Sequence, residues 1–312
     1  MPPADSPATP PKNKLFIGVP CYGGMVSHLT ARGLINLGVS LHASGVPYEE
    51  VNFIANESLV PRARNRIVAN FLKTDCTHLL FIDADLGFTA GDVDALTRGG
   101  FDVVGGVYPM KVIDWQRVAD LVKAGCDPAA LHARSGLYTA NAKASDIEDG
   151  TVTLIRKNDR RYVEVQDVPT GFLLIKRAAL EAYIERYRDE IAYVADYAPY
   201  TGQIHYDVFG VGLDPIASKE GRQRALLRAL LESVRAGDDT RAIIEQIDAL
   251  EAEAPAVRYL SEDYYFSRRW QAMGGRTFVA LDCKLSHVGM HVFPGEAGAG
   301  LLAWPKPVSP GA

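Results

Sequence analysis

Short blocks of consecutive apolar residues alternate, over the first third of the chain, with stretches in which apolar residues recur every three or four positions. Residues 15–20 form such a block and stop at the turn-prone Cys21-Tyr22-Gly23-Gly24, which predicts a buried strand. In residues 26–44 the leucines 29, 34, 37 and 41 approach helical spacing, so a helix is expected there, stopped by Gly45. A second strand is predicted over 51–55, then a helix over 62–72 with Ile67, Val68, Phe71 and Leu72 on one face. A third strand over 79–82 runs straight into Asp83-Ala84-Asp85. A short helix near 91–98 and a strand over 102–107 complete an alternation that implies a parallel sheet with helices on both faces.

The middle of the chain is less regular. Residues 114–140 read as a helical insertion and 146–161 as a charged hairpin region. Strands over 162–168 and 172–175, joined by Pro169-Thr170-Gly171, lead to a helix over 177–187. Residues 218–253 differ in character: Leu226, Leu227, Leu230, Leu231 and Val234, then Ile243, Ile244, Ile247 and Leu250, mark two amphipathic helices around Gly237-Asp238-Asp239. This predicts an inserted helical hairpin, a packing element suited to joining subunits. A helix from Ser261 carries Phe266, Trp270 and Met273 inward and ends at Gly274-Gly275, before a last strand over 277–281. The organisation expected is an N-terminal arm over 1–14, one α/β domain over 15–293 holding the 218–253 hairpin, and a Gly/Pro/Ala-rich tail or lid over 294–312.

Composition adds few constraints. The 312 residues suffice for a sizeable core, and a net charge of −5 gives no general pull toward nucleic acid or anionic lipid. Cys21, Cys76, Cys126 and Cys283 lie far apart with no C-x-x-C pair, as for reduced thiols rather than a disulfide framework. No apolar run approaches the ~20 residues that span a bilayer. These features point to a cytoplasmic protein, with a peripheral position on the inner face of a membrane left open.

Candidate chemistry collects at strand ends, where open α/β sheets bind ligands. Pro20-Cys21-Tyr22 and Asp83 to Asp85 both fall there. Two carboxylates at i and i+2 share a face, and a hard divalent cation such as Mn²⁺ or Mg²⁺ takes carboxylate oxygens together with nucleotide phosphates. A polar turn or helix cap is the plain alternative, though adjacent charges closing a four-residue apolar run are costly without a partner. His287 is a candidate third ligand beside the carboxylates, with His291 a weaker one; a core histidine is the competing reading. Glu262-Asp263 opens a helix, where carboxylates also serve merely as caps; the functional reading makes Asp263 a general base and Glu262 its neighbour that fixes acceptor or helix geometry. Arg62, Arg64, Asn65 and Arg66 crowd a helix start against the dipole, and a bound anion would explain them, as would plain solvation.

In order and spacing, Val19-Pro20-Cys21-Tyr22, Phe81-Ile82-Asp83-Ala84-Asp85, Pro169-Thr170-Gly171-Phe172, Ser261-Glu262-Asp263 and Leu285-Ser286-His287-Val288-Gly289 resemble the GT-A glycosyltransferases, particularly family-2-like enzymes with a DxD motif. The resemblance covers about residues 15–293 apart from the hairpin. It implies a Rossmann-like α/β fold with a mixed, mostly parallel sheet, and a UDP- or GDP-sugar donor held by Pro20, Cys21, Tyr22, Arg64, Asn65, Asp83, Thr170 and Gly171. Mn²⁺ or Mg²⁺ would sit on Asp83, Asp85 and His287, and Asp263 would deprotonate the acceptor, as in inverting members. Implied partners are the donor and a glycan, lipid-linked or other hydroxyl acceptor, and a homo-oligomer through the hairpin is compatible. Transfer of a single sugar fits better than processive synthesis, since no anchoring segment is present among these motifs. Other expectations stay open: a nucleotidyltransferase, disfavoured because Cys21 to Met25 holds no basic residue, a nucleotide-sugar hydrolase, or a sugar-nucleotide-binding scaffold whose chemistry has lapsed.

Overall fold

The computed structural model describes residues 13–45, 47–48, 51–138, 153–214, 219–252 and 258–290. The expected N-terminal arm (but for residues 13 and 14), the 294–312 tail, His291 and parts of the two middle insertions lie outside these residues. The first half follows the expected alternation: β1 (Leu15–Cys21), α1 (His28–Ser44), β2 (Asn52–Ala55), α2 (Val60–Leu72), β3 (His78–Ile82), β4 (Leu86–Gly87), α3 (Ala90–Gly99) and β5 (Val103–Gly106). Two short helices follow, α4 (Trp115–Lys123) and α5 (Pro128–Arg134), then a hairpin of β6 (Leu154–Lys157) and β7 (Arg160–Val165). Next come β8 (Phe172–Lys176), α6 (Arg177–Ile191), β9 (Ala192–Val194), β10 (Ile204–Tyr206) and β11 (Gly212–Leu213). The chain continues through α7 (Lys219–Ala236), α8 (Arg241–Ala252), β12 (Tyr259–Leu260), α9 (Glu262–Ala272), β13 (Thr277–Ala280) and β14 (Ser286–His287).

Eight strands form the central sheet in the order β2-β1-β3-β8-β5-β13-β7-β6. The pairings of β1 with β2 and β3 and of β5 with β13 are parallel, and those involving β8 or β7 are antiparallel, so six of the eight strands point one way. This is a mixed, mostly parallel α/β sheet. All five residues of β3 are buried, and they alternate between two cores. Leu79 and Phe81 join Ile67, Phe71, Leu173, Tyr183 and Phe266 on one face; Leu80 and Ile82 join Leu37, Leu41, Leu96, Phe172 and Leu174 on the other. A strand covered on both sides reads as an unbroken apolar run because neither face meets water.

Local signals set the helix ends. The Ser27 hydroxyl caps α1 by accepting from the Thr30 amide at 3.1 Å, and Gly45 closes it at φ 62°. Thr89 and Asp92 form a reciprocal capping box on α3. Helices α7 and α8 make the expected helical hairpin, which grows from the antiparallel ribbon β11–β12, where the Asp214 amide donates to the Arg258 carbonyl at 2.9 Å. Among the described residues no helix is long and apolar enough to cross a membrane, and the four cysteines are free thiols.

One buried ionic group fixes α9 on the sheet. Arg268 donates from Nε and Nη2 to the two oxygens of Asp167, at 2.7 and 3.1 Å, and its Nη1 lies 3.6 Å from Asp214 at the hairpin base. Asp167 is fully buried. Removing one partner strands a charge away from water. Asp167→Ala is therefore expected to lower the unfolding free energy by about 3–5 kcal/mol in urea titration; a loss below about 1 kcal/mol would show that Asp214 and solvent suffice for Arg268.

Candidate functional site

The carboxyl ends of β1 and β3 open into a cleft of about 460 Å³ between the 3₁₀ turn at Tyr22–Gly24, the start of α2 and the β3–β4 turn. Pro20, Cys21, Tyr22, Arg64, Asp83 and Asp85 line it, so six residues singled out from the sequence meet in one place. Met25, Val26, Ser27, Glu57, Val60, Ala63 and Ala84 complete the wall. Tyr22 and Met25 project at the mouth with 74% and 73% of their surface exposed.

Arg64 organises the floor. It is buried on α2, donates from Nη2 to Asp83 Oδ1 at 2.9 Å and from Nη1 to the Thr170 carbonyl at 3.4 Å, and sets Nε 3.5 Å from Glu262 Oε1. Burial alone would lower its pKa, but the charges of Asp83 and Glu262 outweigh that and hold it above the usual arginine value. Thr170 and Gly171 thus act here through the backbone. The Gly171 carbonyl accepts from the Asp83 amide at 2.8 Å, and its own amide donates to the Tyr108 hydroxyl at 3.2 Å. Burial, then the neighbouring Asp83 charge, pushes the Tyr108 phenol well above its ordinary pKa.

Asp85 belongs to a second group. The ribbon β4–β14 pairs His287 with Leu86, and the Val288 amide donates to the Asp85 carbonyl at 2.8 Å, which brings the imidazole to the carboxylate. His287 Nε2 lies 3.5 Å from Asp85 Oδ1, while Nδ1–H donates to the Pro109 carbonyl at 2.8 Å. With Nδ1–H committed to that carbonyl, Nε2 is the ring atom turned to Asp85, and it donates to the carboxylate when it carries a proton. The Lys111 ammonium bonds to the other carboxylate oxygen. Burial would raise the Asp85 pKa, yet the hydrogen bonds from His287 and Lys111 overcome it and hold the carboxyl at about 2. The structure does not gather Asp83, Asp85 and His287 into one ligand set. Among the described residues no group of three or more His, Cys, Asp or Glu is arranged to hold a metal ion. The reason is that Asp83 faces Arg64 and Asp85 faces His287.

Asp263 sits half-buried at the start of α9 beside Glu262, coupled by charge to Arg64 and Tyr108. Its Oδ1 accepts from the Ser261 hydroxyl and from the Tyr264 amide, the latter at 2.9 Å. Burial raises its pKa, Glu262 adds to the rise, and the Ser261 bond offsets part of it. A carboxylate held above its usual range is a better proton acceptor.

The basic residues of α2 find protein partners. The carboxylate of Glu57, just before the helix, accepts from the Leu59 amide at 3.2 Å and from Arg62 Nε at 2.8 Å, and lies 3.6 Å from Arg66 Nη1. Glu57 is thus an anion at the helix start, supplied by the chain itself. Asn65 is buried away from the cleft wall: its Nδ2 donates to Asp207 at 2.6 Å and its Oδ1 accepts from the Phe209 amide at 2.9 Å, so it tethers the 207–209 segment. Sequence reasoning passed over Glu57, Tyr108 and Lys111. Each follows the carboxyl end of β2 or β5, on the same sheet edge as the ends of β1 and β3, and that position is the signal that would have found them.

No protein-family model matches the chain, and no curated protein is similar to it. Among solved structures, A197 from STIV is similar at 17% identity over 91% of this chain and 98% of its own, with a TM-score of 0.37, a likeness too loose to carry an argument.

The close approach at Gly171 gives a direct test of this geometry. A Cβ there would lie 2.5 Å from the Tyr108 hydroxyl and 2.7 Å from Asp83 Oδ2. Gly171→Ala is expected to cost about 1–3 kcal/mol in chemical denaturation, the usual range for an overpacked buried position. An unchanged midpoint would mean that Tyr108 and Asp83 can move aside at no cost.

Proposed function

We propose that the protein is a metal-assisted glycosyltransferase that moves a single sugar from a UDP- or GDP-linked donor to an acceptor hydroxyl. The observation that carries this reading is the grouping, in one strand-end cleft, of Asp83 and Asp85 with the buried Arg64, and the approach of His287 to Asp85 from beside it, with Nε2 at 3.5 Å. The GT-A resemblance of the motifs supports the same reading. The donor set suits Mn²⁺ better than Mg²⁺: a carboxylate oxygen and an imidazole nitrogen are adjacent, and such an ion takes further oxygens from phosphates and water. Asp85 and His287 would hold the ion, and Asp83 would serve through Arg64 or contact the ribose. When bound, the ion stabilises negative charge building on the departing nucleoside diphosphate.

The chain's own residues supply the rest. The exposed Tyr22 ring and Pro20 offer an apolar surface to a nucleobase at the cleft mouth. Arg64, fixed by Asp83 and Glu262, and the more exposed Lys111 place positive charge where a diphosphate would lie. The acceptor oxygen attacks the anomeric carbon as the bond from that carbon to the diphosphate breaks. Asp263 takes the hydroxyl proton, and the nucleoside diphosphate leaves with the bonding electrons. Attack from the far face inverts the anomeric centre.

Nucleoside diphosphate release from a panel of UDP-, GDP- and dTDP-sugars, with Mn²⁺, Mg²⁺ or EDTA, tests this reading. Release from one donor that needs the metal, and falls at least a hundredfold in Asp85→Ala, is expected. Release with water as the sole acceptor would favour a hydrolase. Absence of release, with no donor-induced rise in melting temperature, would leave a binding scaffold or another chemistry.

The pH profile tests the base separately. Asp263 must be ionised to accept a proton, so activity is expected to fall as pH drops through its folded pKa. Because burial raises that pKa, the acidic limb should lie above the ~3.9 of a free aspartate. Ser261→Ala removes a hydrogen bond that lowers it and should move the limb further upward, while Asp263→Asn should abolish turnover and leave donor binding intact. A limb that stays in place in Ser261→Ala assigns the base to another group.

A further inference from the structure

We propose that the helical hairpin α7–α8 is a dimerisation element that pairs with a second copy of itself to complete an antiparallel four-helix bundle. On a helical wheel at about 100° per residue, the apolar residues of α7 from Leu226 to Val234 span roughly 140°, wider than one neighbouring helix covers. Leu226 and Leu230 are half-buried in the hairpin, whereas Leu227, Leu231 and Val234 remain 44%, 58% and 61% exposed. On α8, Leu250 is buried and Ile243 and Ile247 half-buried, but Ile244 is 45% exposed. Both exposed sets turn the same way from the seam between two antiparallel helices, so they share one face of the hairpin. The opposite face carries a groove of about 480 Å³ lined by Arg222, Ala225, Leu226, Gln246, Ala249 and Leu250. Four large aliphatic side chains on one face of two helices form the half of a bundle core that lacks its other half.

Charge selects the occupant. Residues 219–236 hold five basic and two acidic side chains, a net +3, and residues 238–252 hold one basic and five acidic, a net −4. A two-fold contact of this face has two simple forms. An axis across the helices lays α7 on the partner's α7 and acid on acid. An axis along the helices lays α7 antiparallel on the partner's α8, so that every helix of the bundle neighbours one of opposite sign. Both forms give the antiparallel neighbours of an up-down four-helix bundle, and only the second avoids like-charge contact. The surface is thus complementary to itself.

Light scattering after size exclusion, with the full chain at tens of micromolar, reads the outcome. The wild type is expected at the mass of two chains, and Leu227→Glu/Leu231→Glu should weaken dimerisation at least a hundredfold and give one chain. Circular dichroism should show that this variant keeps its helix content. Reversing α7 (Arg228→Glu/Arg235→Glu) or α8 (Glu245→Arg/Asp248→Arg) alone should favour monomer, whereas an equimolar mixture of the two reversed variants, which sets acidic helices against basic ones across the interface, should recover a dimer, as should combining all four changes in one chain. A monomeric wild type overturns the proposal and leaves this face to a different partner. A dimer that survives the double leucine substitution overturns it by placing the interface elsewhere.

Discussion

A guanidinium taken almost entirely out of water needs its charge answered on every side, and at Arg64 the answers come from three parts of the chain. Asp83 lies at the end of β3, the Thr170 carbonyl in the turn before β8, Glu262 at the start of α9, and the Phe81 ring 5.4 Å beneath. Desolvating an ion costs several kcal/mol before any partner is counted, so this residue is stable only while the three segments hold their places. The constraint runs both ways. Asn65, one residue on, ties down Phe209, whose ring packs edge-on against Phe81 at 5.1 Å, so the same turn of α2 both carries the charge and braces the wall behind it. Gly171 has to lack a side chain for Asp83 and Tyr108 to close over the same point. The cleft floor and the most demanding electrostatic problem of the fold are therefore one structure.

Much of the fold was legible because burial on both sheet faces leaves a plain trace. The apolar blocks at 15–20 and 79–82, and the leucine spacing of α1, fall within one or two residues of the observed elements. Direction was not legible. Phe172 to Ile175 is as apolar as β3, and nothing in such a run says that it enters antiparallel between β3 and β5. Its direction depends on where distant residues bring it, as with the Gly105 backbone, where an added Cβ would meet Val168 at 2.6 Å. The two-residue ribbons β4–β14 and β11–β12 left no periodicity to read, yet one of them sets His287 beside Asp85.

The site was legible where residue type and position agreed, and opaque where a partner lay far off in sequence. Asp83 and Asp85 end an apolar strand and stand in the cleft, as their placement implied. The arginines at the start of α2 do have anions, but these are Glu57, Asp83 and Glu262, three carboxylates of the chain itself, two of them outside the local window. Glu57, Tyr108 and Lys111 carry no motif in their local sequence; what marks them is position, since β2 and β5 run parallel to β1 and β3 and finish on the same edge.

The two carboxylates of the Asp-x-Asp pair are held by cations of different kinds, and the difference bears on what the cleft can exchange. Asp83 faces Arg64, 3% exposed, whose removal from the pair would leave a stranded buried charge. Asp85 faces Lys111, 41% exposed, on a flexible stem, and an ion pair this open to water contributes only about 0–1 kcal/mol. The first pair is framework and the second can be parted at little cost. An anionic ligand entering the cleft meets one positive charge that is fixed and one that can swing to it, and as Lys111 leaves, Asp85 keeps only the imidazole 3.5 Å away. Parting Lys111 from Asp85 would leave that carboxylate facing the imidazole alone, so the two halves of the Asp-x-Asp pair differ in how readily their cations can turn toward an anion in the cleft.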